Sequence, residues 1–152
     1  MTIVTLFLSG LHLTNSQVVS QVQASLESSA ALRVLTGRTE RVRATTWSQL
    51  TDPTFLRTTL LAETPDYGGA LGNLIENFEI TAHLAPAGTV PPILLTRAAN
   101  GTVAIVNPGD GTMPEQPSVR VNITAAWTGK GGRARTRQVS CMVAPGGLLG
   151  RN

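Results

Sequence analysis

The chain is poor in charge, in aromatic rings and in thiols. Asp, Glu, Lys and Arg make up 14% of its 152 residues, against roughly 25% in a typical soluble domain. Ser, Thr, Gly and Pro fill the gap, a profile closer to an exported or surface protein than to a cytosolic enzyme. A single cysteine, Cys141, excludes an intramolecular disulfide, so no staple holds the fold. Phe, Tyr and Trp together reach only 4%, too little for the stacking platforms that hold single-stranded nucleic acid. His12 and His83 are the only histidines, and neither stands beside a carboxylate or thiol at ligand spacing, so no metal centre is expected. Ser140-Cys141 lacks a nucleophile elbow, and "GKGG" joins two strands without the spacing of a phosphate loop. No enzyme activity, cofactor or small-molecule substrate is expected.

Basic charge is unevenly placed. The net charge is +3, Arg33, Arg38, Arg41 and Arg43 cluster near the end of the first segment, and no acidic residue follows Glu115. A basic C-terminal face raises the question of an anionic partner.

What is present begins with a long helix. Neither Gly nor Pro occurs from Leu11 to Thr36, and Val18, Val19, Val22, Leu26 and Ala30 recur at three-and-four spacing, which lays one apolar stripe along a helix. Leu32, Leu35 and Val42 continue it, and the Arg cluster complements the dipole at its C-terminal end. The helix is expected to run to about Thr45, roughly 65 Å at 1.5 Å per residue, with Asp52-Pro53 as a stop beyond it. Its half from Val18 to Val42 is expected to press on the sheet of its own subunit.

Residues 51–75 form an irregular connection with one helical turn around Phe55 to Leu61, and residues 76–152 are strand-like. "ENFEITAHL" alternates Phe78, Ile80, Ala82 and Leu84 with polar neighbours, which leaves Glu76 and Glu79 as a solvated strand edge. "PILLTRAANGTVAIV" is a hairpin about Asn100-Gly101, a dipeptide suited to positive φ. "SVRVNITAAW" and "RARTRQVSCMV" flank "TGKGG" as a second hairpin, whose first strand buries Val119, Val121, Ile123, Ala125 and Trp127. In its second strand, Arg133, Arg135 and Arg137 share parity with Val139, Cys141 and Val143. Either a bulge near Gln138 exchanges the faces, which is the expectation, or the arginine stems lie along Trp127. The fold class is α+β: a long N-terminal helix, residues 1–50 with an oily part at 1–13, packed on an antiparallel sheet of about four strands.

Met1 to Leu13 is almost purely apolar, and the first charged residue is Glu27. About 13 apolar residues are too few to cross a bilayer, which takes about 20. The run lacks the basic start and cleavage site of a signal peptide, and the Gln and Ser residues after it offer no charged coiled-coil flanks.

A long helix, oily then amphipathic, followed by an irregular connection and two hairpins, resembles type IV pilins and the pseudopilins of type II secretion. "TGRTERVRATTWSQL" is similar to the helix end of the minor-pilin and pseudopilin branch, and "VRVNITAAWTGKGGRARTRQVSCMVAPGG" resembles that branch's final hairpin. The family's basic leader is not in the sequence, and Thr5 stands where the family has a Glu; if Met1 is an internal start, Met1–Leu13 is the second half of a spanning segment. The resemblance implies a structural assembly subunit of a bacterial filament. It is held in the inner membrane and then packed against neighbouring pilin or pseudopilin subunits through Ile3, Val4, Leu6, Phe7, Leu8, Leu11 and Leu13. The resemblance places it in the cell envelope or outside the cell. The alternative is a nucleic-acid-binding envelope module using Arg133, Arg135 and Arg137, which at every second strand residue stand roughly 6.6 Å apart. An unrelated envelope protein of similar layout is a third expectation.

Overall fold

The computed structural model describes residues 2–86 and 88–146, with side chains from Thr14 onward. Helix α1 spans Thr2–Ala44 without a break at Gly37. Its membrane and filament set (Ile3, Val4, Leu6, Phe7, Leu8, Leu11 and Leu13) lies outside the described side chains. The helix ends at Ala44, within a residue of the expected end, and Thr46 opens a second helical turn, α2 (Trp47–Leu50), where Gln49 Oε1 accepts from the Thr46 amide at 3.1 Å. Asp52-Pro53 starts structure instead of ending it. Asp52 Oδ1 accepts from Thr54 N–H at 2.8 Å and caps α3 (Pro53–Phe55), with Pro53 in the first turn, where its missing N–H costs nothing. A π turn over Leu56–Leu60 follows.

Five strands, rather than about four, form one antiparallel sheet in the order β3-β2-β1-β4-β5. They are β1 (Gly72–Ala82), β2 (Ile93–Arg97), β3 (Val103–Pro108), β4 (Val119–Thr128) and β5 (Ala134–Val143). Strand β1 is central and begins at Gly72, four residues before the expected boundary. It ends at Ala82, so Leu84 lies beyond the strand and is exposed. In the β2–β3 hairpin only Gly101 takes positive φ, at 86°. Gly101 N–H meets Ala98 C=O, and Ala98 N–H meets Thr102 C=O. This is a type I turn closed by a left-handed glycine, a longer loop than the two-residue turn that Asn100-Gly101 suggested.

Two elements share one face of the sheet. The C-terminal half of α1 packs over β4 and β5, while the π turn reaches β3. Ala30, Ala31, Val34, Leu35 and Val42 of the helix join Leu50, Leu56, Leu60 and Leu61 of the connection, and Phe78, Ile80, Val121, Ile123 and Trp127 of the sheet, in one core. Each large side chain buried there contributes roughly 1.5–3 kcal/mol.

The expected stripe and the observed one differ. Val18, Val19, Val22 and Leu26 are 52%, 49%, 53% and 60% exposed, and Leu32 is exposed as well. The buried stripe instead runs Glu27, Ala31, Val34, Arg38, Val42, a second face of the same helix that the first meets near Ala30. Apolar periodicity identifies a stripe but not what covers it.

Glu76 is no solvated edge. It shares parity with Phe78 and Ile80, points into the core and is almost fully buried. Arg38 of α1 clasps it with two parallel bonds, Nε to Oε1 at 2.7 Å and Nη2 to Oε2 at 2.9 Å. Arg38 also donates to the Leu60 and Glu63 carbonyls, tying helix, connection and central strand together. Buried Arg97 reaches Glu76 at 3.6 Å and Thr64 Oγ1 at 3.1 Å. Glu79 lies on the other face, half-buried, and accepts from Asn122 Nδ2 at 3.0 Å.

Arg38→Met leaves the buried Glu76 with only the longer Arg97 contact. Breaking such a pair costs about 3–5 kcal/mol, which urea or guanidinium unfolding is expected to report; a loss below about 1 kcal/mol would contradict the clasp.

Candidate functional site

The helix leaves the sheet at Glu27, and the β4–β5 turn is fastened to it there. Glu27 is buried, the first charge in the chain, and its carboxylate accepts from Lys130 N–H at 2.9 Å, with Trp127 Nε1 and Arg135 Nε each at 3.4 Å. The Lys130 amide holds the Glu27 carboxyl below its ordinary pKa against the opposing cost of burial, with Trp127 and Arg135 assisting. Gly129 leaves room for this closeness: a Cβ there would stand 2.6 Å from Glu27 Oε2 and would push the carboxylate aside.

The expected bulge near Gln138 is absent. β4 and β5 pair in unbroken register from Val119↔Val143 to Thr128↔Ala134. The parity conflict is resolved by the helix, which crosses the arginine end of β5 and gives it polar partners. Arg135, opposite Trp127, meets Glu27, and Arg137 Nη2 donates to Ser28 Oγ at 2.6 Å. Val143, at the other end of the strand, is buried in the core. Arg133 is exposed, as is Lys130, and neither forms an ion pair among the described residues. The three expected anion contacts are thus not equivalent: Arg135 is charge-paired with Glu27, Arg137 is exposed with one bond to a neutral hydroxyl, and Arg133 is exposed with no ion pair among the described residues.

Above Glu27 the helix is bare. Residues 14–22 are exposed throughout, and the valine and leucine stripe over Val18–Leu26 faces solvent, continuous in sequence with the uncharged run Met1–Leu13. Among the described residues Val18, Val19, Val22 and Leu26 stay about half exposed or more. Between this bare helix and the β4–β5 turn lies an open groove of about 710 Å³, walled by Asn15, Ser20 and Gln23 on one side and Lys130, Arg133 and Arg135 on the other.

Comparison with family models, curated proteins and solved structures finds no match for this chain. Its surface therefore speaks through its own chemistry. Among the described residues no group of three His, Cys, Asp or Glu side chains is placed to hold a metal. His83 Nδ1 lies 3.4 Å from Arg120. Cys141 is half-buried, and burial pushes its thiol pKa up, which works against nucleophilic use. Of the two Asn-X-Thr sites, Asn122 is committed to Glu79, while Asn100 is exposed at a hairpin tip. Residue patterns missed the Glu27 junction, although a first charge after a long neutral stretch, in phase with Ala31 and Val34, was its signal.

Glu27 gives a pH test. Because its folded pKa is lowered, its contribution is full above the unfolded carboxyl value of about 4.3 and is lost as pH falls through the folded value. Thermal unfolding is expected to show wild type more stable than Glu27→Gln at neutral pH, by about 1–3 kcal/mol, with the gap closing below about pH 4. A gap that does not change with pH would contradict the junction.

Proposed function

We propose that this chain is a structural and assembly subunit, of the minor-pilin or pseudopilin kind, of a bacterial type IV pilus or type II secretion filament. In this reading Met1–Leu13, with Ile3, Val4, Leu6, Phe7, Leu8, Leu11 and Leu13, is held in the inner membrane before assembly. It then packs against the helices of neighbouring subunits, while the helix-and-sheet unit stays in the periplasm or on the filament surface. The single observation that carries the reading is the division of α1: one half is sealed onto the sheet, and the other presents Val18, Val19, Val22 and Leu26 to solvent.

The energetics favour burial between subunits. Covering one of these side chains, each about half exposed, contributes roughly half of the 1.5–3 kcal/mol of full burial, and four of them together favour a partner helix. Among the described residues no helix is both long and apolar enough to cross a membrane, and the proposal assigns the membrane-held part to the oily start of α1. The nucleic-acid alternative keeps Arg133 and the exposed Arg137, which gives one bond to Ser28 Oγ, while Arg135 is paired with Glu27.

The test uses the native host. Val22→Glu/Leu26→Glu changes two exposed side chains, so stability is expected to move by no more than about 0.5 kcal/mol per site. Sheared surface filaments are expected to contain wild type and to lose the variant, while envelope fractions keep both through the unchanged Met1–Leu13. Normal incorporation of the variant, or wild type confined to the soluble fraction, would refute the proposal.

A further inference from the structure

We infer that the groove between α1 and the β4–β5 turn seats the phosphate headgroups of anionic phospholipid at the membrane surface, with Lys130 and Arg133 as the binding cations. The inference rests on the membrane-held helix proposed above and adds the lipid class it prefers. Its first support is position. Asn15 to Ala24 line the groove, and they lie roughly 3 to 17 Å along the helix beyond Leu13, at 1.5 Å per residue. Headgroup layers are roughly 5–8 Å deep on each side of a bilayer core, and charges act over a further Debye length of about 8–10 Å. If the oily run ends at the core boundary, the groove opens into that layer.

The second support is charge and chemistry. Lys130 and Arg133 are exposed and without ion pairs among the described residues, and the chain holds no acidic residue beyond Glu115. Glu27, the one carboxylate lining the groove, is already paired with Arg135 and bonded to the Lys130 amide. The opposite wall offers the side-chain amides of Asn15 and Gln23, suited to phosphate oxygens and to the hydroxyls of a glycerol headgroup, while the Ser20 hydroxyl there donates to the Gln17 carbonyl and can only accept. Exposed apolar Val19 also lines the groove and faces the acyl boundary. Cations beside a membrane-held helix attract anionic lipid in this way, each by about fivefold in affinity.

Flotation of the full chain with vesicles of phosphatidylcholine alone, or of phosphatidylcholine mixed with phosphatidylglycerol, tests it. Wild type is expected to float with both and to bind the anionic vesicles on the order of tenfold more tightly at low salt. Lys130→Gln/Arg133→Gln is expected to keep the neutral binding and lose that preference. Equal binding of wild type to both vesicles, or a preference that survives the double substitution, would overturn the inference and leave the membrane-held helix standing. Binding to neither would overturn both. Binding of a single-stranded oligonucleotide that depends on Lys130 and Arg133, without any gain from phosphatidylglycerol, would give the groove to nucleic acid and overturn the lipid assignment.

Discussion

A guanidinium and a carboxylate with almost no access to water hold this molecule in register. Arg38 and Glu76 lie 38 residues apart, and their two short bonds fix the rotation of α1 over the central strand. The same arginine reaches the Leu60 and Glu63 carbonyls, so the connection cannot settle over β3 unless the helix is seated. A buried pair of this kind is costly to desolvate and adds little net stability over an apolar substitute. Another helix rotation would leave Glu76 with only the longer Arg97 contact at 3.6 Å, so the pair favours this seating of the helix. Arg97 adds a second cation to the site, and its Nε is a buried atom without a hydrogen-bond partner, a further cost that the surrounding core offsets.

Glu27 does for the upper end of the helix contact what Arg38 does for the lower. Eleven residues separate them on one helix face, about 16 Å at 1.5 Å per residue, and between them lie Ala30, Ala31 and Val34, small enough to let the helix approach β4 closely. Beyond Glu27, among the described residues, only Gln23 and Ala24 are half-buried, and residues 14–22 are exposed. One continuous helix thus carries two surfaces with different fates. One is satisfied inside the subunit, and the other is apolar, exposed and continuous with an uncharged run. The assembly function and the headgroup groove both follow from that division.

Local pattern revealed most of the secondary structure. The length of α1 was legible from the three-and-four spacing and the absence of Gly and Pro, and the inner face of β4 from its alternation, Val119 to Trp127. Glu76 was legible too, since it has the parity of Phe78 and Ile80, but residue type was given more weight than position. What pattern cannot carry is the identity of a distant partner. The exposed Val18–Leu26 stripe and the buried Glu27–Val42 stripe are two faces of one helix, and only the site of the sheet decides between them. The three arginines of the last hairpin implied a bulge because Glu27 and Ser28, more than 100 residues away, do not enter a local reading of the strand. The basic groove was legible only as a charge imbalance, because its polar wall comes from the other end of the chain.

The central claim, that α1 is sealed below Glu27 and free above it, is tested most directly by amide hydrogen exchange resolved along the helix in the isolated subunit. Residues 30–42 are expected to exchange only with global unfolding, and the exposed residues 14–22 several orders of magnitude faster, since little packing opposes their local opening. Uniform protection along the whole helix in the isolated subunit would contradict the division on which the account rests.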